Sequence, residues 1–250
     1  MVSVKNLEEL SYMKEAGRIV ALTHKRLKSE IRPGISTKHL DFIAKKFIIS
    51  MGATPSFLGY GGFKASICTS VNDCVVHGVP SDDVILNDGD IISIDIGACF
   101  KGYHGDSAWS YKVGNVSQEA QELLKIGELA LYEGLKQVKD GVRVGDISSA
   151  IGNYVRNAGY SVPLEYTGHG IGRSLHEEPA IPNFGYCNTG MTLKKGMTVA
   201  IEPMVIKGKP FTKVLADGWS VVTKDKSLSV HFEHTIYITE DGYEILTKED

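Results

Sequence analysis

The chain has 250 residues, 42% of them apolar, and carries 27 basic against 30 acidic residues, a formal net charge of −3 with the signs interspersed. That is enough apolar material for a sizeable core, and too little charge asymmetry for nucleic acid or a membrane surface to be the main partner. No apolar run approaches the roughly 20 residues of a membrane span, and the start of the chain lacks the apolar centre of a signal peptide, so a cytoplasmic location is expected.

In chain order, Asn6 and Glu9 form a capping-box pattern. The spacing of Leu7, Leu10, Met13, Val20, Leu27 and Ile31 then predicts one long helix, stopped by Pro33-Gly34. Ser36 or Thr37 caps a second helix through Leu40, Ala44, Phe47 and Met51, ending at Gly52. Residues 91–100 and 103–113 read as strands joined by a two-residue turn at Lys101-Gly102. A second helix pair is predicted over 117–138 and 144–158, followed by Gly-rich loops and short strands. The pattern is that of an α+β protein with helices outside and a curved, mainly antiparallel sheet inside. Cys68, Cys74, Cys99 and Cys187 show no C-x-x-C spacing, so reduced and mostly buried thiols are expected.

The two halves repeat each other. Residues 86–95 and 193–202 each carry a run of strand formers to one carboxylate, Asp95 in the first and Glu202 in the second. At the same offset of 107 residues Ile31 falls on Val138, Gly34 on Gly141, Leu40 on Ile147 and Gly52 on Gly159. Two equivalent halves about a pseudo-two-fold place function between them. A carboxylate buried in an apolar strand costs several kcal/mol unless a cation or donor network faces it, so one such strand from each half points to a metal site.

The hairpin sharpens the argument. A turn centred on Lys101-Gly102 sets Asp106 opposite Gly97, two residues from Asp95. Side chains alternate with period two, so Asp95 and Asp106 share one face as diagonal neighbours, roughly 7–8 Å apart at the backbone. His169 sits among glycines in Thr167-Gly168-His169-Gly170, where little bulk blocks access, and His176 follows. Glu202 precedes Pro203 at a strand end, and alternation over 229–236 puts Glu233 on the face opposite Phe232 and Ile236. Each of these residues, taken singly, also reads as an ordinary solvated or core side chain; the argument rests on the ensemble. No H-E-x-x-H helix, G-x-S-x-G elbow or P-loop is present.

Taken together, these residues resemble the methionine aminopeptidases of the short bacterial type I class. The resemblance covers essentially the whole chain, including its length, its duplicated halves and every motif above. It implies the pita-bread fold in a single catalytic domain over 1–250, with halves at about 1–113 and 114–250. It also implies that Asp95, Asp106, His169, Glu202 and Glu233 ligate a dinuclear metal centre. In that pattern Asp106 and Glu233 bridge both ions, Asp95 chelates one, and His169 with Glu202 holds the other. Four carboxylates and an imidazole without a thiolate suit divalent cobalt, manganese, iron or zinc, and are unlike a structural zinc site. Two such ions about 3.5–4 Å apart share a water, lower its pKa toward about 7, hold a free α-amine and polarise the scissile carbonyl. An exopeptidase follows, because an internal peptide offers no free amine.

By the same resemblance Glu202 is the proton shuttle, and His77 and His176 hydrogen-bond the tetrahedral intermediate or the leaving amide. An apolar pocket for an unbranched thioether is implied, walled by Tyr60, Phe63, Cys68, Leu175 and Trp219 with Phe57 and His77 adjoining. Steric limits beyond it confine the second residue of the substrate to small side chains. A monovalent cation is implied beside Asn72 and Ser229. The implied partners are peptides with a free N-terminal methionine, met by a monomer, with ribosome contact left open. Two rivals stand beside this reading. One is a prolidase or aminopeptidase P, which usually carries a further N-terminal domain for which this chain has no room. The other is a catalytically silent binding module, which would be expected to lose ligands that this chain keeps.

Overall fold

A computed structural model describes residues 3–248. The chain opens with helices α1 (Leu7–Lys28) and α2 (Thr37–Ser50), then strands β1 (Thr54–Pro55), β2 (Ile67–Val71), β3 (Cys74–Val76), β4 (Ile91–Phe100) and β5 (Tyr103–Lys112). Helices α3 (Gln118–Leu135) and α4 (Val144–Asn157) follow, and then β6 (Thr167–Gly170), β7 (Glu177–Pro182), β8 (Thr198–Ile201) and β9 (Met204–Ile206). The last strands are β10 (Thr212–Val214), β11 (Val221–Thr223), β12 (Ser229–His231), β13 (His234–Ile238) and β14 (Tyr243–Ile245).

Local chemistry explains the helix starts. The Asn6 side chain accepts from the Glu9 amide while the Glu9 carboxylate accepts from the Asn6 amide, both at 2.9 Å. Ser36, rather than Thr37, caps α2 through His39, and the Thr37 hydroxyl instead ties the buried helix start to Ser81. The first helix ends at Lys28, short of Ile31, and Leu7 is 86% exposed although the spacing placed it on the apolar face. A first-turn residue at a helix end has no neighbouring turn on its N-terminal side to cover it.

Every strand pairing among the described residues is antiparallel. One sheet runs β1-β4-β2 with β5 on β4, a second runs β14-β13-β8-β6-β7, and two smaller ladders are β10-β11-β3 and β12-β9. The hairpin turn has positive φ at both Lys101 (48°) and Gly102 (81°), the geometry that matches strand twist. Its register sets Gly97 opposite Asp106 and Asp95 opposite Ala108, as the turn position predicts. Strand β4 runs past its carboxylate to Phe100, with the bounds expected from the sequence.

Alternation decides which side chains reach the middle. Ile92, Ile94 and Ile96 of β4 pack against Ile19, Val20 and Leu27 of α1 and Leu40, Ala44 and Ile48 of α2, so Asp95 faces the other way. In the second half Val199 and Ile201 of β8 pack with Leu123 and Leu131 of α3 and Ile147 and Ile151 of α4, and Glu202 faces inward. Glycines allow the closest approach. A Cβ on Gly105 of β5 would lie 2.8 Å from the Gly17 nitrogen of α1, and one on Gly17 would collide with the Leu246 carbonyl.

The two main sheets meet without a shared ladder. The Glu233 amide donates to the Ala108 carbonyl at 2.8 Å, and the Ser107 hydroxyl donates to the Glu233 carbonyl at 2.6 Å. The Thr235 hydroxyl donates to the Asp106 carbonyl and accepts from the Asp106 amide, at 2.7 and 3.0 Å. Glu233 therefore lies in a break between β12 and β13, not within one continuous strand over 229–236. The break turns its backbone toward β5, and the Phe232 amide is taken up by Pro203 at 3.2 Å. Among the described residues no helix is long and apolar enough to cross a membrane.

Candidate metal centre

Five carboxylate and imidazole side chains converge where the halves meet. Asp95 comes from β4, Asp106 from β5, His169 from β6, Glu202 from just past β8 and Glu233 from the break before β13. All five line one cavity of about 300 Å³. Pairing of His169 with Ala200 in the β6–β8 ladder puts His169 and Glu202 on the same face. The His169 Nδ1–H donates to the Gly170 carbonyl at 2.9 Å, which leaves Nε2 with a free lone pair 3.5 Å from Glu202 Oε1.

Donor atoms gather into two groups that share Glu233. Asp106, His169 and Glu233 form one, and Glu202, His231 and Glu233 the other, with the atoms in each group within 4.8 Å of one another. Asp95 belongs to neither group. It shares the β4–β5 face with Asp106, whose carboxyl its charge raises. Asp95 Oδ1, Asp106 Oδ1 and Glu233 Oε1 are buried with no hydrogen-bond partner among the described residues. Three orphaned carboxylate oxygens in one cavity are costly for a protein to bury, and divalent cations are the groups that fit them.

Electrostatics point the same way. Burial pushes the Asp95 carboxyl up to about 6, with His231 opposing and Glu202 adding to the rise. Asp106, Glu202 and Glu233 are likewise raised well above the ordinary range by burial, and for Asp106 the neighbouring Asp95 adds to it. Burial, then His176, pushes His169 down to about 4. These carboxyls hold protons more tightly in the folded chain than in the unfolded one, so the stability they contribute is present below the ordinary carboxylate pKa. It is lost as pH rises through the folded values. His24, His77 and His169, each pushed down to about 4, act oppositely, and their contribution is complete above 6.5. From about pH 6.5 upward the carboxyl effect alone remains. Chelator-treated protein is therefore expected to lose thermal stability from pH 6.5 to 8.5, and divalent metal to restore it. A flat profile in thermal unfolding would contradict buried, unneutralised carboxyls.

The two further histidines and the apolar residues named from the sequence line the same cavity, and Asn72 and Ser229 are not part of its lining. His176 packs its ring 4.3 Å from that of His169, and its Nδ1 meets the Tyr60 hydroxyl at 2.7 Å. His77 stands at positive φ (58°), uncommon for a residue with a side chain, and its ring meets Tyr166 edge to face. The turn is fixed by Gly78, where a Cβ would collide with the Thr69 carbonyl. Phe57, Tyr60, Phe63, Cys68, Leu175 and Trp219 form the apolar end of the cavity. Cys68 pairs directly with Asp95 across β2 and β4, and Phe63 meets Trp219 edge to face at 5.1 Å. Gly97 makes room for this wall, since a Cβ there would lie 2.7 Å from the Phe57 ring.

Asn72 and Ser229 also come together. The Ser229 hydroxyl lies 3.0 Å from the Cys74 carbonyl and 3.4 Å from that of Asn72, while the Asn72 side chain is tied to Asp90 and the Ile91 amide. The cysteines are free thiols, with Cys68 and Cys74 buried, Cys99 partly covered and Cys187 exposed, so fewer are buried than the sequence led us to expect. Sequence reasoning missed His231, Tyr166 and Met204, which also line the cavity. His231 was accessible to it, standing two residues before Glu233 in the same segment. Tyr166 and Met204 carry no chemical signal and are recognisable only once the fold sets them beside His169 and Glu202.

A profile for "Metallopeptidase family M24" matches residues 11–240. The chain is 57% identical to methionine aminopeptidase 1 of Bacillus subtilis over 248 residues, covering 99% of this chain and all of that one. Among solved structures, a methionine aminopeptidase from Thermotoga maritima matches with a TM-score of 0.98 at 43% identity, covering 100% of both chains. A prolidase from Pyrococcus furiosus matches with a TM-score of 0.81 at 24% identity, over 99% of this chain and 66% of that one, which shows a shared fold.

Proposed function

The chain belongs to metallopeptidase family M24, and from that premise we propose how its cavity removes the first methionine of a polypeptide whose second residue is small. The reading rests on one observation: orphaned carboxylates from both halves share a cavity with an apolar end closed by aromatic side chains. The enzyme is a hydrolase acting at the first peptide bond.

Asp95, Asp106, His169, Glu202 and Glu233 would hold two divalent ions drawn from cobalt, manganese, iron and zinc. Bound there, the ions supply a Lewis acid for the scissile carbonyl and an acidified water. The protein supplies the rest. Glu202, whose carboxyl is raised by burial, takes a proton at its side-chain oxygen from the attacking water and returns it to the leaving nitrogen. In the tautomer whose Nδ1 accepts from the Tyr60 hydroxyl, His176 keeps Nε2–H as a donor for the substrate carbonyl oxygen. His77 lines the same cavity and serves the leaving amide. Phe57, Phe63, Cys68, Leu175 and Trp219, with Tyr60 at the mouth, take the unbranched thioether side chain, which fills irregular apolar space without branching. The oxygens around Asn72 and Ser229 would take a monovalent cation. We place the enzyme in the cytoplasm as a monomer acting on nascent chains near the ribosome, where initiator methionine is exposed.

A panel of short peptides tests the specificity. Met-Ala-Ser and Met-Gly-Ser are expected to be cleaved on the order of 100-fold faster in kcat/KM than Met-Leu-Ser and Met-Lys-Ser, a difference of about 2.7 kcal/mol. Equal rates for all four would contradict the pocket assignment. Cleavage of Ala-Pro ahead of Met-Ala-Ser would favour the prolidase reading, and no cleavage with any divalent ion would favour the silent module.

A further inference from the structure

His231 has no part in the five-ligand set, yet its side chain points at it. The residue ends β12 and its backbone is clamped from β5, since its amide donates to the Ser110 hydroxyl and its carbonyl accepts from that hydroxyl, both at 2.9 Å. Ser93 holds the clamp in place through a 2.7 Å contact with Ser110. The side chain is 3% exposed, and its Nε2 lies 3.3 Å from Glu202 Oε2 and 4.0 Å from Glu233 Oε2. Neither approach has hydrogen-bond geometry, and Nε2 has no hydrogen-bond partner among the described residues.

Those separations have a simple reading. Two donors on one ion, each about 2.0–2.2 Å from it, stand roughly 3.0–3.5 Å apart at ordinary coordination angles. The Glu202–His231 separation falls in that range, and Glu233 completes the triangle. We propose that His231 Nε2 is a sixth protein ligand of the metal centre, bound to the ion that Glu202 and Glu233 hold. Glu202 Oε1 also lies 3.5 Å from His169 Nε2, so the ion that Glu202 holds would be faced by both imidazoles. The site as a whole becomes four carboxylates and two imidazoles. Such a donor set moves preference away from manganese toward zinc, cobalt and iron, because imidazole suits the latter ions and carboxylate suits the former.

This inference rests on the dinuclear reading above, and the test separates the two. Protein labelled with nitrogen-15 in its histidine rings is titrated with zinc and followed by long-range proton–nitrogen correlation, with His169→Gln and His231→Gln assigning the two rings. Ligation at both sites is expected to displace the Nε2 resonances of both His169 and His231 in the wild-type protein. Calorimetric titration of His231→Gln is expected to show one site retained and the other weakened at least about tenfold, a loss that even outer partners of a metal ligand can cause. Zinc binding that moves only the His169 resonance, with both sites at full affinity in His231→Gln, would overturn the sixth ligand and leave the dinuclear centre standing. No zinc-dependent change at either ring would overturn both. The number of histidine Nε2 resonances that zinc displaces in the wild-type spectrum, two or one, needs no variant to fold.

Discussion

Glu233→Gln is expected to lower kcat/KM by about four orders of magnitude, or roughly 5.5 kcal/mol of transition-state stabilisation, and to leave at most one tightly bound ion. Glu233 alone is common to both donor groups, and its Oε1 has no hydrogen-bond partner among the described residues. An amide matches the carboxylate in shape but brings one neutral oxygen where two anionic ones stood. The same change carries an opposite sign for the metal-free protein. Burying a neutral amide costs less than burying a carboxyl whose ionised form has no partner, so chelator-treated Glu233→Gln should unfold at a higher temperature than chelator-treated wild type at pH 8. Added manganese or cobalt should then stabilise the wild type strongly and the variant little. Residual activity above about a tenth of wild type would contradict a shared ligand.

His176→Ala is expected to cut kcat by about 10²–10³-fold with metal content unchanged, the usual effect of removing one donor to the developing oxyanion. The ring is exposed to the cavity, packs on His169 and is steered by Tyr60, so it can reach a substrate oxygen without ligating an ion. His77→Ala should behave similarly, and its positive φ makes the alanine backbone less comfortable, so a modest stability loss is expected beside the kinetic one. Tyr60→Phe should have a smaller effect, because it only frees the His176 ring to rotate. Loss of metal in either histidine variant, measured by atomic emission on the dialysed protein, would move that residue from substrate binding to ligation. Near-normal turnover in either would remove its role.

Much of the site is legible in the sequence, because period-two alternation and turn position are strong constraints. The Lys101-Gly102 turn fixes the β4–β5 register, and from it the shared face of Asp95 and Asp106 follows. The repeat ties Glu202 to Asp95 across the halves. Glu233 is harder. Its segment reads as one strand, whereas the chain breaks there so that Glu233 can bond to Ala108 while Phe232 turns to Pro203. That break depends on hydroxyl contacts from Ser107 and Thr235 to a strand more than a hundred residues away, and such contacts leave no local pattern. Asp95 lies on the expected face yet outside both tight donor groups. Helix ends drifted for the ordinary reason that spacing continues into residues, such as Ile31, that belong to the following turn.

The account depends on two cations between the carboxylates of the two halves. The most direct test is anomalous diffraction from crystals of the full chain soaked in manganese or cobalt, with data on both sides of the metal absorption edge. Two peaks about 3.5–4 Å apart are predicted among Asp95, Asp106, His169, Glu202 and Glu233. A map with no peak inside that cavity, or with ions only at the protein surface, would contradict it.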